Sequence, residues 1–144
     1  MAYLKVWIHL VWSTKNRAPL LSRKVREVMF NHIRENAKEK KIYIDRVNGY
    51  ADHVHCLVSL KADQTIAKTM QLIKGESAFG INKQKLITER FSWQEEYFAV
   101  SVSESQVPKV RNYIENQEKH HQKLSYQQEY KQFIEKYAFE PLVK

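Results

Sequence analysis

"DHVHCLVSL", residues 52–60, sets two histidines, His53 and His55, inside an otherwise apolar run. Side chains alternate along a strand, so the two imidazoles share one face, while Val54, Cys56, Val58 and Leu60 take the other. The apolar set belongs against a core. The histidines therefore mark the opposite face of a sheet. Imidazole is a good ligand for divalent metals, and two of them at i and i+2 can chelate one ion. Taken alone, the tripeptide reads just as well as a pair of ordinary polar residues on a solvated sheet face.

The neighbouring segments give that strand its place. Residues 3–13, "YLKVWIHLVWS", alternate in the same way. Leu4, Val6, Ile8, Leu10 and Trp12 point to the core side, and Trp7 and His9 fall on the histidine side. Residues 23–40 repeat Val25, Val28, Met29, Ile33 and Ala37 at helical spacing behind Ser22, a plausible N-cap. A second strand runs over "KIYIDRVNGY", residues 41–50, with a turn at Asn48-Gly49. Residues 64–81 predict a second helix with Ile66, Ala67, Met70, Ile73 and Ala78 inward and Gly75 as a weak point. A connecting loop covers 83–95 and a fourth strand 96–103; a third helix spans 105–123 with Pro108 in its first turn, and a short last helix spans 125–138. The order β-α-β-β-α-β is the split βαβ, ferredoxin-like (RRM-like) arrangement of an α+β domain. Strands one and three become antiparallel neighbours at the sheet centre, with two helices on one face. Residues 1–104 form this core and residues 105–144 the C-terminal helices of one domain.

Composition narrows the function. A net charge of +8 and a pI near 9.5 suit a polyanionic partner such as nucleic acid. Three glycines and three prolines in 144 residues argue for regular elements over disorder. Cys56 is the only cysteine, which excludes an intramolecular disulfide and fits a reducing cytoplasm. No signal-peptide pattern opens the sequence, and no apolar run approaches the roughly 20 residues of a membrane helix. Lys15, Arg17, Arg23, Lys24 and Arg26 group between the first strand and the first helix; Lys74, Lys109 and Arg111 lie further on. As a group they are candidate phosphate contacts. Trp7, Trp93 and Tyr97 are candidates for stacking on unpaired bases. The last helix carries Tyr126, Tyr130, Phe133 and Tyr137 as a stripe, read as packing against the domain or a second subunit.

"RNYIENQEKHH", residues 111–121, sets Tyr113 and Gln117 at i and i+4, with His121 continuing the line and His120 beside it. Edge packing is the commoner fate of a tyrosine. Beside two histidines, in this strand order, a hydroxyl next to an amide oxygen is a more specific constellation. The chain resembles the HUH single-tyrosine transposases of small bacterial insertion sequences, which include the REP-associated tyrosine transposases. The resemblance covers nearly the full length, through "IHLVWSTKNR", "DHVHCLVSL", "IKG" and "YIENQEKHH". It matches His53-Val54-His55 to the family's His-hydrophobic-His signature, Tyr113 to its nucleophile and Gln117 to its third metal ligand.

The resemblance implies a transposase that cleaves and rejoins single-stranded DNA at hairpin-marked element ends through a 5′-phosphotyrosine. Mg²⁺ or Mn²⁺ would be held by His53, His55 and Gln117, a donor set without thiolate. Cys56, on the other sheet face, stays outside it. Asp52, His9 and His121 are candidates to orient the metal ligands from behind. Asp52 and His121, with water, are also candidates to take the tyrosine proton. The resemblance implies a homodimer, in which the tyrosine helix of one subunit can complete the other's site with "SVSESQVP", residues 101–108, as the hinge; REP-associated members can act as monomers. Three rival readings stand beside it. One is a domesticated protein that nicks or only binds hairpins. Another is an RNA-binding module of the same strand order, whose glycine-rich aromatic motif this sequence lacks. The third is a rolling-circle initiator or relaxase, which shares the histidine pair but joins it to a helicase or partner domain not found in these 144 residues.

Overall fold

The alternating runs become the central strands of a four-stranded sheet in the computed structural model, which describes residues 2–137. The elements are β1 (Trp7–Thr14), α1 (Arg23–Glu39), β2 (Tyr43–Gly49), β3 (His53–Ser59), α2 (Ile66–Lys83), β4 (Trp93–Val102), α3 (Val107–Glu115), α4 (Gln117–His121) and α5 (Tyr126–Tyr137). Sheet order is β2-β3-β1-β4 with every pair antiparallel, as the split βαβ order requires. Leu10 pairs with Cys56 and Trp12 with Val54. On that face Ile8, Leu10, Trp12, Val54, Cys56 and Val58 form one core with Met29 and Ile33 of α1 and Met70 and Ile73 of α2. Ser22 caps α1 by accepting from Val25 N at 3.3 Å, and Thr65 caps α2 by accepting from Lys68 N at 3.1 Å. Gly75 faces open space and does not interrupt α2.

Several boundaries differ from the sequence expectation. β1 begins at Trp7, and Leu4 and Val6 are 45% and 40% exposed. The partner strand β3 ends at Ser59 opposite Trp7, so only the Leu60 N–Val6 O bond extends the ladder. Alternation alone could not show that this partner is short. Val28 is half-buried and Ala67 is exposed. β4 starts at Trp93, earlier than residue 96, because Trp93 pairs with Thr14 and packs against Trp12 and Phe91. The third helix is broken: Asn116, at φ −99° and ψ 23°, separates α3 from α4. A 3-10 turn at Glu104–Gln106 leads into α3. Neither Ser103 nor Ser105 caps that helix, and their hydroxyls lie 3.3 Å from each other. Pro108 does sit in the first turn. The expected last position of the final helix, Ala138, lies outside the described residues.

α3, α4 and α5 cover the second sheet face. Val107 and Ile114 of α3 join Trp7 and Leu57 in a small second core. Asn48 of β2 donates to the Ile114 carbonyl at 2.8 Å, and Arg111 pairs with the buried Asp45 carboxylate at 2.7 Å. Among the described residues no helix is long and apolar enough to cross a membrane.

Gly49 permits the tight turn from β2 into β3. A Cβ there would lie 2.2 Å from the His53 carbonyl oxygen, a backbone atom with no room to give. Gly49→Ala is expected to lower folding stability by more than about 2 kcal/mol, read as a reduced denaturation midpoint.

Candidate active site

β3 turns His53 and His55 away from the α1–α2 core, and both rings are fully buried. Each ring is oriented through Nδ1. His53 Nδ1 lies 2.8 Å from Asp52 Oδ1, and His55 Nδ1 lies 2.9 Å from His9 Nε2. In the tautomer whose Nδ1–H donates in both rings, each Nε2 would keep its lone pair for the interior of the site. Burial, with the charge of the neighbouring His55, holds the His9 pKa down to about 3. Burial likewise holds His55 down to about 4. Both are therefore neutral imidazoles near pH 7, the form that ligates metals.

α3 and α4 supply the tyrosine and the amide. Gln117 opens α4 just past the Asn116 break. Its Nε2 donates to the Tyr113 carbonyl at 3.1 Å, and its Oε1 lies 3.1 Å from His53 Nε2. Tyr113 packs edge-on to His55, with ring centroids 5.4 Å apart. Its hydroxyl lies 3.3 Å from His120 Nε2 and donates to Glu129 Oε2. Burial and then the Glu129 charge push the Tyr113 hydroxyl above its ordinary pKa. Asp52 bonds to His53 and is not a partner of Tyr113, so the groups beside that hydroxyl are Glu129 and His120.

Glu129 is the residue that sequence reasoning missed. It projects from α5 with a side chain only 1% exposed. Glu129 Oε1 lies 3.0 Å from His55 Nε2 and 3.5 Å from His53 Nε2. Glu129 Oε2 lies 3.1 Å from His120 Nε2 and 3.4 Å from His121 Nε2. Burial alone would raise its carboxyl pKa. The imidazoles of His121 and His55 outweigh that and hold it below the usual carboxylate range. His121 donates from Nδ1 to the Leu124 carbonyl at 2.6 Å, and its buried Nε2 makes no hydrogen bond. One ligand atom from each of His53, His55, His121 and Glu129 lies within 4.8 Å of the others. This nitrogen- and oxygen-rich set, with one orphaned imidazole nitrogen, fits a divalent cation. The sequence did carry a signal for Glu129. It stands three residues after Tyr126 and four before Phe133, so it lies within the aromatic stripe rather than beside it.

That stripe packs on its own chain. Tyr126 stacks on His53 at 4.3 Å, Phe133 approaches His9 and His55, and Tyr130 meets Phe98. Most of the expected phosphate contacts are also engaged internally. Arg17 lies over Tyr130, Arg23 pairs with Glu118 at 2.7 Å, Lys74 donates to the Gln94 carbonyl at 2.7 Å, and Arg111 holds Asp45. Lys15 is exposed. Trp7 and Trp93 are buried, bonded through Nε1 to Glu104 and Ser77, and offer no face for stacking. Tyr97 is 36% exposed beside Lys74. A cavity of about 650 Å³ between β4, α3 and α5 reaches His9, Tyr113 and Glu129, with Lys109 and Lys136 in its lining.

The chain matches a family profile described as transposase IS200 like over residues 2–117. It is 29% identical over 115 residues to the ISDra2 transposase TnpA of Deinococcus radiodurans, covering 76% of this chain and 81% of that protein. A crystal structure of a candidate transposase from Deinococcus radiodurans R1 superposes with a TM-score of 0.63 at 26% identity, over 81% of this chain and 93% of that one. A REP-associated tyrosine transposase, determined bound to a REP hairpin, superposes with a TM-score of 0.59 at 14% identity, over 85% of this chain and 71% of that one. At that identity the second likeness is one of fold.

Asp52 orients the His53 ring from outside the cluster. Asp52→Ala is expected to weaken Mn²⁺ binding about 10-fold, measured by calorimetric titration, with the fold retained by circular dichroism.

Proposed function

The chain belongs to the IS200-like transposase family, and from that premise we propose that it cuts and rejoins single-stranded DNA through a covalent bond to Tyr113. One observation carries this reading. Within a single chain the half-buried Tyr113 packs against His55 in a buried cluster where Oε1 of Gln117 lies 3.1 Å from Nε2 of His53. A tyrosine beside two buried imidazoles oriented from behind suits phosphoryl transfer better than simple nucleic-acid binding.

Mg²⁺ or Mn²⁺ held by His53, His55 and Gln117 would polarise the scissile phosphate and offset charge in the transition state. Tyr113 Oη attacks phosphorus, forming the tyrosyl ester as the P–O3′ bond breaks. The hydroxyl proton has Glu129 and His120 as nearest acceptors, and the departing oxygen takes up a proton to become a free 3′-hydroxyl. The ester keeps the energy of the phosphodiester. A second 3′-hydroxyl can therefore attack it and rejoin the strand without a nucleotide cofactor. His9 and Asp52 act through His55 and His53, holding each ring with Nε2 turned to where the ion would sit.

The substrate in this reading is single-stranded DNA with hairpins at the element ends. The fold shared with a hairpin-bound transposase supports it, as do the basic charge and the cavity beside Tyr113. Lys15, Arg17, Arg23, Lys74 and Arg111 are the proposed phosphate contacts. A homodimer is the proposed assembly. The approach of Tyr113 to His55 of its own chain, with ring centroids 5.4 Å apart, supports a tyrosine that acts in cis.

The test is a covalent adduct on a denaturing gel, with Mn²⁺ and an oligonucleotide carrying the hairpin that flanks the gene. The native chain is expected to form the adduct. Tyr113→Phe and His53→Ala should lower its yield by roughly 10³-fold or more, and EDTA should abolish it. An adduct that persists in Tyr113→Phe would assign the nucleophile to another residue. Tight hairpin binding without any adduct would reduce the protein to a binding module.

A further inference from the structure

Glu129 is a carboxylate in a place where packing alone asks for none. It stands on α5, between Tyr126, which stacks on His53, and Phe133, which approaches His55. An apolar side chain there would continue the stripe and close the core without burying a charge. Instead the carboxylate reaches the two histidines of β3 and the hydroxyl of Tyr113 together. Resting on the reading of His53, His55 and Gln117 as ligands of a divalent ion, we propose that Glu129 is a fourth protein ligand, so that the ion clamps α5 over Tyr113.

The spacing supports this. Donors about 2.1 Å from one ion stand roughly 3–3.5 Å apart at octahedral or tetrahedral angles. Glu129 Oε1 lies 3.0 Å from His55 Nε2 and 3.5 Å from His53 Nε2, and Gln117 Oε1 lies 3.1 Å from His53 Nε2. Both Nδ1 atoms are already committed, to Asp52 and His9, so the Nε2 atoms are the ones free to converge. A second observation points the same way. His121 Nδ1 is spent on the Leu124 carbonyl, which leaves a bare, buried Nε2 facing Glu129 Oε2 at 3.4 Å without a hydrogen bond. An imidazole nitrogen buried without a hydrogen-bond partner, 3.4 Å from a carboxylate oxygen, is a donor position that a bound ion can fill.

The clamp matters because α5 is short. Its 12 residues are marginal as an isolated helix, so its position depends on what holds it to the sheet. Stacking on His53 supplies part of that hold, and a Glu129–ion bond would add to it. While α5 is docked, the Tyr113 hydroxyl is tied to the same carboxylate. The ion, the lid and the nucleophile would thus meet at one side chain.

The test uses the full chain and Mn²⁺ alone, by calorimetric titration and by hydrogen exchange across residues 126–137. Glu129→Gln, which keeps the shape, and Glu129→Ala are each expected to weaken Mn²⁺ by at least about 10-fold. In the native chain Mn²⁺ should slow exchange in α5, and in Glu129→Gln it should not. His53→Ala is the control. If His53→Ala loses Mn²⁺ while both Glu129 variants bind it as the native chain does, the fourth ligand is wrong and the histidine site stands. If the native chain binds no Mn²⁺, or His53→Ala binds it unchanged, the histidine site falls and the clamp with it. Should Glu129→Ala fail to fold, Glu129→Gln and the native exchange data decide the matter. Unchanged exchange in native α5 on adding Mn²⁺ overturns the clamp.

Discussion

Antiparallel pairing of β1 with β3 sets Leu10 opposite Cys56 and His9 opposite Leu57, which leaves His9 diagonal to His55 on the far face. The rest of the molecule depends on that register. A slip of one residue would turn His53 and His55 into the apolar layer under α1 and α2 and send Cys56 and Val58 to the other side. Because the core face is wholly apolar, such a slip is strongly disfavoured. The hydrophobic effect fixes the register, and the register delivers the imidazoles. The same alternation sets Trp7 and Leu57 where α3 can dock, and so brings Tyr113 to the histidines.

The cluster those residues form is expensive by ordinary packing standards. Each buried polar group left without a partner costs about 1–3 kcal/mol, and His53, His55, Gln117 and Glu129 are all essentially excluded from water. Nearly every one of their polar atoms is answered by Asp52, His9, Tyr113 or another member of the cluster. Beside them, the buried Nε2 of His121 has no hydrogen bond. Apolar residues of similar volume would fill the same space with less risk. A network of this kind is better understood as chemistry that the fold tolerates than as a source of stability.

Much of this was legible from the residues. Alternation located β1 and β3 and sorted their faces, and helical spacing located α1 and α2. The His-x-His strand and, through the family resemblance, Tyr113 and Gln117 named side chains that lie within reach of one another in the structure. Three things were not legible, each for a physical reason. The break at Asn116 has no proline or glycine to announce it; it is set by how α3 and α4 dock on β2 and β3. Trp7 and Trp93 read as exposed aromatics because burial depends on neighbours far along the chain. Glu129 was hidden by its setting, since an aromatic stripe invites a packing explanation and a single carboxylate within it passes as a solvated flank. A charge on the buried face of an amphipathic helix has to be answered by something across the interface, and that question would have found it.

The arginine pairs also bear on how this surface meets a charged strand. Arg23 and Arg26 share Glu118, Arg111 holds Asp45, and Arg46 holds Glu115. A phosphate that recruits one of these guanidinium groups must displace a carboxylate, which then draws a cation from solution. Polyanion binding normally gains entropy by releasing condensed counterions, and each such exchange gives part of that gain back. Association through these side chains is therefore less sensitive to ionic strength than a net charge of +8 suggests. Part of the electrostatic attraction has already been spent inside the protein, on seating α3 and α4 where Tyr113 needs them.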